Sequence, residues 1–221
     1  MKFGVVFLVL LLGVALAAAA RQRSAMAATV DPGVALNRLL TALTGTPLYV
    51  LLVAIAVTIL NLQQLLPEHY LVGFLLIPPV GLKLASTGYR VARYYLSDPM
   101  YRLAGAPPVL LRFVVAPILV VSTAAVFGTG LELWIFGLRF GSGWMTAHTF
   151  SAVFFVAAAA LHLLSHFRVS AAATVNQASV ASSRETFRLR SLVVGSLLLG
   201  AILAAASLLY GTPFPPAAAG G

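Results

Sequence analysis

The chain has 221 residues, of which 61% are hydrophobic and only 9% are charged, and it carries a net charge of +9 and no cysteine. Soluble domains average roughly 45–50% apolar and about 25% charged residues, so this composition excludes an ordinary soluble protein and indicates an integral membrane protein. The positive charge does not point to nucleic acid, because the basic residues stand singly or in small groups beside apolar runs, as topology determinants do. Without cysteine there is no disulfide, no covalently attached c-type haem and no thiolate-ligated metal.

Six apolar stretches follow one another along the chain, each near the length of about 20 residues that a helix needs to cross hydrocarbon. They cover residues 3–20, 47–66, 69–87, 113–136, 145–167 and 191–210. The pattern predicts an all-α membrane protein with six transmembrane helices, in which 29–210 form one polytopic bundle. The tail 211–221 is rich in Pro, Ala and Gly and is predicted to be disordered.

The N-terminal segment 1–28 allows two interpretations. Lys2, the apolar run and the small residues at 25–27 resemble a signal peptide with its cleavage site. Arg21 and Arg23 stand just before that site, where arginine is unusual, and cleavage would reverse the sidedness of every later connection. We therefore expect a retained transmembrane helix here.

Prolines mark the expected irregularities. Leu66-Pro67-Glu68 predicts a tight turn that makes the second and third helices antiparallel neighbours. Pro78-Pro79 predicts a kink in the third helix, and Pro117 predicts a milder one in the fourth.

The basic residues fall almost entirely in alternate connections, and the positive-inside rule places those connections in the cytoplasm. This orientation predicts a multi-pass protein of the plasma membrane with both termini outside, leaving only Lys2 and Arg139 on the outer side. The three groups of cytoplasmic residues are Arg21, Arg23 and Arg38; Arg90, Arg93, Arg102 and Arg112; and Arg168, Arg184, Arg188 and Arg190.

Histidines at helix ends carry the functional prediction. His69 and His148 are expected at the outer ends of the third and fifth helices, at matching depth. Two imidazoles at one level on neighbouring helices can bind a haem from both faces, and six-coordinate iron of this kind suits electron transfer. Haem b held by His69 and His148 is therefore the first expectation, and interfacial histidines with their polar edges in water are the alternative.

A second group is expected near the inner surface. His162 and Lys83 each lie 14 residues, about 21 Å of helix, beyond His148 and His69 on nearly the same faces. His166 follows His162 by one turn, and it is either a ligand or a solvated interface residue. A second haem would need His162 together with Lys83 or His166, whereas lysine more ordinarily extends to the headgroups or pairs with a haem propionate. One haem is expected, and the inner site decides whether there are two.

The spacing of His148 and His162, continued as His162-Leu-Leu-Ser-His166, resembles the helix that serves two haems in bacterial membrane b-type cytochromes. These include the cytochrome b subunits of hydrogenases and formate dehydrogenases and the ferric reductase-like membrane domains. The resemblance implies a four-helix haem-binding core over about 47–167, acting as an electron-transfer subunit of an oxidoreductase with a quinone or a redox partner protein. Lys83 departs from the pattern, which has histidine at this position.

Other residues near the outer site have two interpretations each. Glu132 could accept a proton from a quinol, or it could be an interfacial carboxylate reaching water. Gly73 and Ser151 are small where a porphyrin edge would approach, or they serve close helix packing. The sequence also leaves open a cofactor-free membrane scaffold or assembly subunit and, less favoured for want of repeats, a small transporter.

Overall fold

The computed structural model describes residues 31–105, 109–178 and 183–210, with the side chains of 163–178 and 183 outside the description. The predicted first span and the tail 211–221 lie outside the described residues. Five of the helices are long and apolar enough to cross a membrane, which is the architecture of a multi-pass membrane protein. In chain order the helices are α1 (Pro32–Leu60), α2 (Leu66–Tyr95), α3 (Pro99–Leu103), α4 (Ala116–Phe136, preceded by a π-helical turn, Leu111–Val115), α5 (Gly143–Ala178) and α6 (Ser183–Leu209).

Helix α1 begins at a strong N-terminal signal. The Asp31 carboxylate accepts hydrogen bonds from the backbone N–H groups of Gly33 and Val34, at 2.9 and 3.2 Å, and Pro32 occupies the first helical position. The predicted apolar stretch starts fifteen residues later, at Pro47, which is instead an interior residue of α1. Arg38, predicted in a connection, consequently lies on this helix.

The first two helices form an antiparallel hairpin, as predicted, but its turn lies at 61–65. Backbone N–H groups of Gln64 and Leu65 donate to the Asn61 carbonyl there, and Leu66-Pro67-Glu68 forms the first turn of α2. Proline suits the first turn because its missing N–H would have no helical acceptor. Helix α2 then continues through Pro78 and Pro79 to Tyr95.

An irregularity does occur beside Pro117, in the form of the π-helical turn before α4. The Ala116 N–H donates to the Leu111 carbonyl, five residues back, instead of four. Proline lacks an N–H and crowds the carbonyl four residues earlier, so a wider turn accommodates it. The span itself, Leu111–Phe136, agrees closely with the predicted 113–136.

The long helices pack against one another as a bundle with two ends. Helix α1 packs against α2 and α5, α4 packs against α5, and α6 packs against α2. Gly200 of α6 lies against the Leu75 backbone, where a Cβ atom would overlap the carbonyl oxygen. One end contains His69 and His148, and the other contains Arg38, whose guanidinium donates to the Ala104 carbonyl at 3.1 Å.

Candidate functional site

The structure brings His69 and His148 together between α2 and α5. Their ring centroids are 6.3 Å apart and their planes are nearly perpendicular, at 87°. His69 lies in the first turn of α2, and His148 lies six residues into the described helix α5. Their meeting follows from the antiparallel course of the chain, which places the start of both helices at the same end.

A threonine on α1 defines the orientation and tautomer of His69. Thr58 Oγ1 lies 2.8 Å from His69 Nδ1, and the same hydroxyl donates its proton to the Ile55 carbonyl at 2.6 Å. A hydroxyl has one proton, so Thr58 can only accept from the imidazole, and Nδ1 carries the hydrogen. In the neutral ring, Nε2 is then left with its lone pair.

His148 is held in the same way by a threonine on α4. Thr129 Oγ1 lies 3.0 Å from His148 Nδ1 and donates to the Ala125 carbonyl at 2.6 Å. The Val126 carbonyl, on the same helix, also interacts with this imidazole. A Cβ atom at Gly130 would lie 3.1 Å from His148 Cε1, so the Nδ1–Cε1 edge of the ring faces α4.

Both imidazoles therefore have a tautomer in which Nε2 can bind a metal. Metal-bound histidine almost always donates its second N–H to an oxygen acceptor, which fixes the ring and raises its basicity as a ligand. Two metal–nitrogen bonds of about 2.0–2.1 Å, with each nitrogen roughly 1.1 Å from its ring centre, need ring centres roughly 6 Å apart. The observed centroid distance of 6.3 Å equals this spacing, and the angle of 87° between the planes does not change it, because turning a ring about its metal–nitrogen bond leaves the ring centre in place.

Small residues and apolar surface surround the pair. A Cβ atom at Gly73, one turn along α2 from His69, would meet no atom within 4 Å. Ser151 is only 9% exposed and donates to the His148 carbonyl at 3.0 Å. It also lines an open apolar groove of about 380 Å³ between α4 and α5, together with Val121, Ala125 and other α4 residues. Through Ser151, this groove adjoins the turn of α5 that carries His148.

Glu132 lies one turn beyond Thr129 on α4. Both of its carboxylate oxygens are buried and have no hydrogen-bond partner among the described residues. Trp134, two residues further along, has its ring packed edge-on against Phe74 at 4.9 Å. Glu132 is therefore a buried polar group close to the turn of α4 that holds His148.

Of the predicted inner group, Lys83 is the residue whose contacts the structure describes. Lys83 Nζ donates to the backbone carbonyl of Thr41, and it lies 3.3 Å from the position of a Cβ atom at Gly45. The amine is therefore directed towards α1. His162 is partly buried on α5, and the side chain of His166 lies outside the description. A role for Lys83 as a ligand would require its bond to α1 to break.

Sequence reasoning missed Thr58 and Thr129, the residues that hold the two rings. They lie 11 and 19 residues from their histidines, and nothing in the sequence links threonine to histidine at those separations. The one available signal is Gly128-Thr129-Gly130, two glycines flanking a threonine within an apolar helix.

Within residues 31–105, 109–178 and 183–210, no group of three or more histidine or acidic side chains could hold a bare metal ion. Haem iron differs, because the porphyrin supplies four nitrogens and the protein needs to add only two. The sequence matches no family model and no curated protein, and the structure matches no solved structure. The geometry of His69 and His148 is therefore the main guide to the function of the protein.

Proposed function

We propose that the protein is a membrane b-type cytochrome in which His69 and His148 hold one haem b for electron transfer. The observation that supports this most strongly is the matched pair of imidazoles, 6.3 Å apart, each with Nδ1–H donated to a threonine. The residues suit a haem because a ring that donates through Nδ1 keeps a lone pair on Nε2, and because small residues adjoin the rings.

His69 and His148 would hold the haem, which would supply one-electron iron chemistry suited to electron transfer. Thr58 and Thr129 orient the rings, and the apolar helices exclude water. Glu132 accepts a proton when the electron donor is a quinol. The electron partner is a quinone or a redox protein at the plasma membrane, with the basic connections in the cytoplasm. A second haem would use His162 with Lys83 or His166.

Haem analysis of purified protein tests this proposal. Protein produced with a haem precursor should show the sharp reduced α-band of low-spin haem b. His69→Ala and His148→Ala should each remove most of the haem, whereas His166→Ala, the control, should remove almost none. His162→Ala decides the number of sites: loss of about half the haem would indicate two. Full haem content in the double variant His69→Ala, His148→Ala would refute the assignment.

A second candidate, a cofactor-free scaffold subunit, is favoured by one observation. The contacts of Thr58 with His69 and of Thr129 with His148 each join two different helices, α1 with α2 and α4 with α5. Such contacts can stabilise a bundle without any cofactor. In that case the protein would be haem-free after supplementation, and alanine at either histidine would lower the unfolding temperature of haem-free protein.

A further inference from the structure

Three cationic side chains lie together where α1 and α2 meet at the end of the bundle opposite the histidines. Positions 83, 86 and 90 form one face of α2, since they are three and four residues apart. Asn37 Nδ2 donates to the Ser86 carbonyl at 3.1 Å, and Thr41 Oγ1 lies 3.2 Å from Ser86 Oγ. Arg38 of α1 therefore lies beside the face that carries Lys83 and Arg90.

These cations are not neutralised by the protein. Arg38 donates to the Ala104 carbonyl and Lys83 to the Thr41 carbonyl, both uncharged acceptors. Arg90 is partly buried and has neither a hydrogen-bond acceptor nor an ion-pair partner among the described residues. Arg90 is close enough to Arg38 and Lys83 for electrostatic repulsion, and Tyr101 is its one favourable electrostatic neighbour among the described residues.

Asp31 and Asp98, two carboxylates at this end of the bundle, have partners other than the three cations. Asp31 caps α1 by accepting from Gly33 and Val34. Asp98 caps α3 by accepting from the backbone N–H of Met100 at 2.9 Å, and it forms an ion pair with Arg93. A partly buried guanidinium has five donors and a permanent charge, so leaving it without an acceptor is costly.

We propose that Arg38, Lys83 and Arg90 form a site for the phosphate of an anionic phospholipid. Guanidinium groups bind phosphate in a bidentate manner, and three cations without a carboxylate complement a headgroup of net negative charge. The position of the site favours a lipid over free phosphate, because it lies at one end of helices long and apolar enough to cross a membrane, where lipid headgroups would lie. This site is independent of haem.

Thermal unfolding in a mild detergent tests the site, with phosphatidylglycerol, phosphatidylcholine or inorganic phosphate added. Phosphatidylglycerol should raise the unfolding temperature of the native protein by on the order of 5 °C, and the other two additions should have little effect. Arg90→Gln should lose most of this rise. Without anionic lipid it should be at least as stable as the native protein, because repulsion is relieved.

Arg188→Gln is the matched control. It removes the same charge from an exposed position near the start of α6, which lies at the same end because α6 begins where α5 ends. This variant should keep the full response to phosphatidylglycerol. Native mass spectrometry should also find phosphatidylglycerol retained by the native protein and by Arg188→Gln but depleted from Arg90→Gln and, less completely, from Arg90→Lys.

Two results would overturn the proposal. An equal response in Arg90→Gln and Arg188→Gln would mean that phosphatidylglycerol acts through net charge alone. Equal stabilisation by inorganic phosphate would mean that the ligand is a free anion.

Discussion

The threonine that holds His148 allows a sharp test of the proposed haem site. Thr129→Val keeps the shape of the side chain but removes the oxygen that accepts the Nδ1–H of His148, 3.0 Å away. Loss of such a hydrogen bond to a ligand histidine typically reduces metal affinity 10- to 100-fold, or about 1.4–2.7 kcal/mol. Thr58→Val should have an effect of the same size through His69, because its hydroxyl makes the equivalent contact at 2.8 Å.

Each of these variants has a matched control on the same helix. Thr123 on α4 and Thr44 on α1 are buried, and each donates to the carbonyl four residues earlier, but the hydroxyls bonded to His69 and His148 are those of Thr58 and Thr129. Haem affinity is measured by titrating haem into haem-free protein and following the absorbance of the low-spin complex. Thr123→Val and Thr44→Val should bind haem like the native protein. Equal losses in the control and test variants would refute the role assigned to Thr58 and Thr129.

Three further substitutions test the surroundings of the site and the fold. Gly130→Ala places a Cβ atom 3.1 Å from His148 Cε1 and should weaken haem binding. Its control, Gly128→Ala, should not, because a Cβ atom there meets nothing within 4 Å. Equal haem affinities of the two variants in a titration would contradict this prediction. Gly200→Ala should lower the free energy of unfolding by about 1–3 kcal/mol because its Cβ atom overlaps the Leu75 backbone, while Gly195→Ala, in open space, should be neutral or stabilising by up to about 1 kcal/mol. Lys83→Met should leave the haem content unchanged, because the amine binds the Thr41 carbonyl; a loss of half the haem would instead assign Lys83 as an inner ligand.

The pairing of His69 and His148 could be predicted because it depends on few quantities. Helices long enough to cross a membrane and joined by short connections must alternate in direction, so the starts of α2 and α5 lie at one end. Residues near those starts then share a level whatever the details of packing. The packing of α1 against both α2 and α5 then brings the two ring centroids to a distance of 6.3 Å.

The start of α1 could not be predicted from hydropathy because its first half is polar on one side. Asn37, Arg38 and Thr41 interrupt the apolar run, yet all three have partners on α2 or beyond it. The free-energy cost of burying these polar side chains is offset by those hydrogen bonds. A hydropathy sum over single residues does not include such contacts. The direction of Lys83 was beyond prediction for the same reason, since it depends on the close approach of α1 at Gly45.

Hydrogen bonds at both ends of the α1–α2 hairpin fix the axial position of one helix relative to the other. At one end Asn37 and Thr41 meet Ser86, and at the other Thr58 meets His69. A slide of α1 by one residue, about 1.5 Å, would bring these hydrogen-bonding atoms out of reach at both ends. The apolar middle of the hairpin opposes such a slide only weakly, because apolar packing in lipid has little directional preference. The contacts of Asn37 and Thr41 with Ser86 therefore help to keep Thr58 at the level of His69. Because Thr58 orients the His69 ring, these contacts contribute to the orientation of that ring at the opposite end of the hairpin.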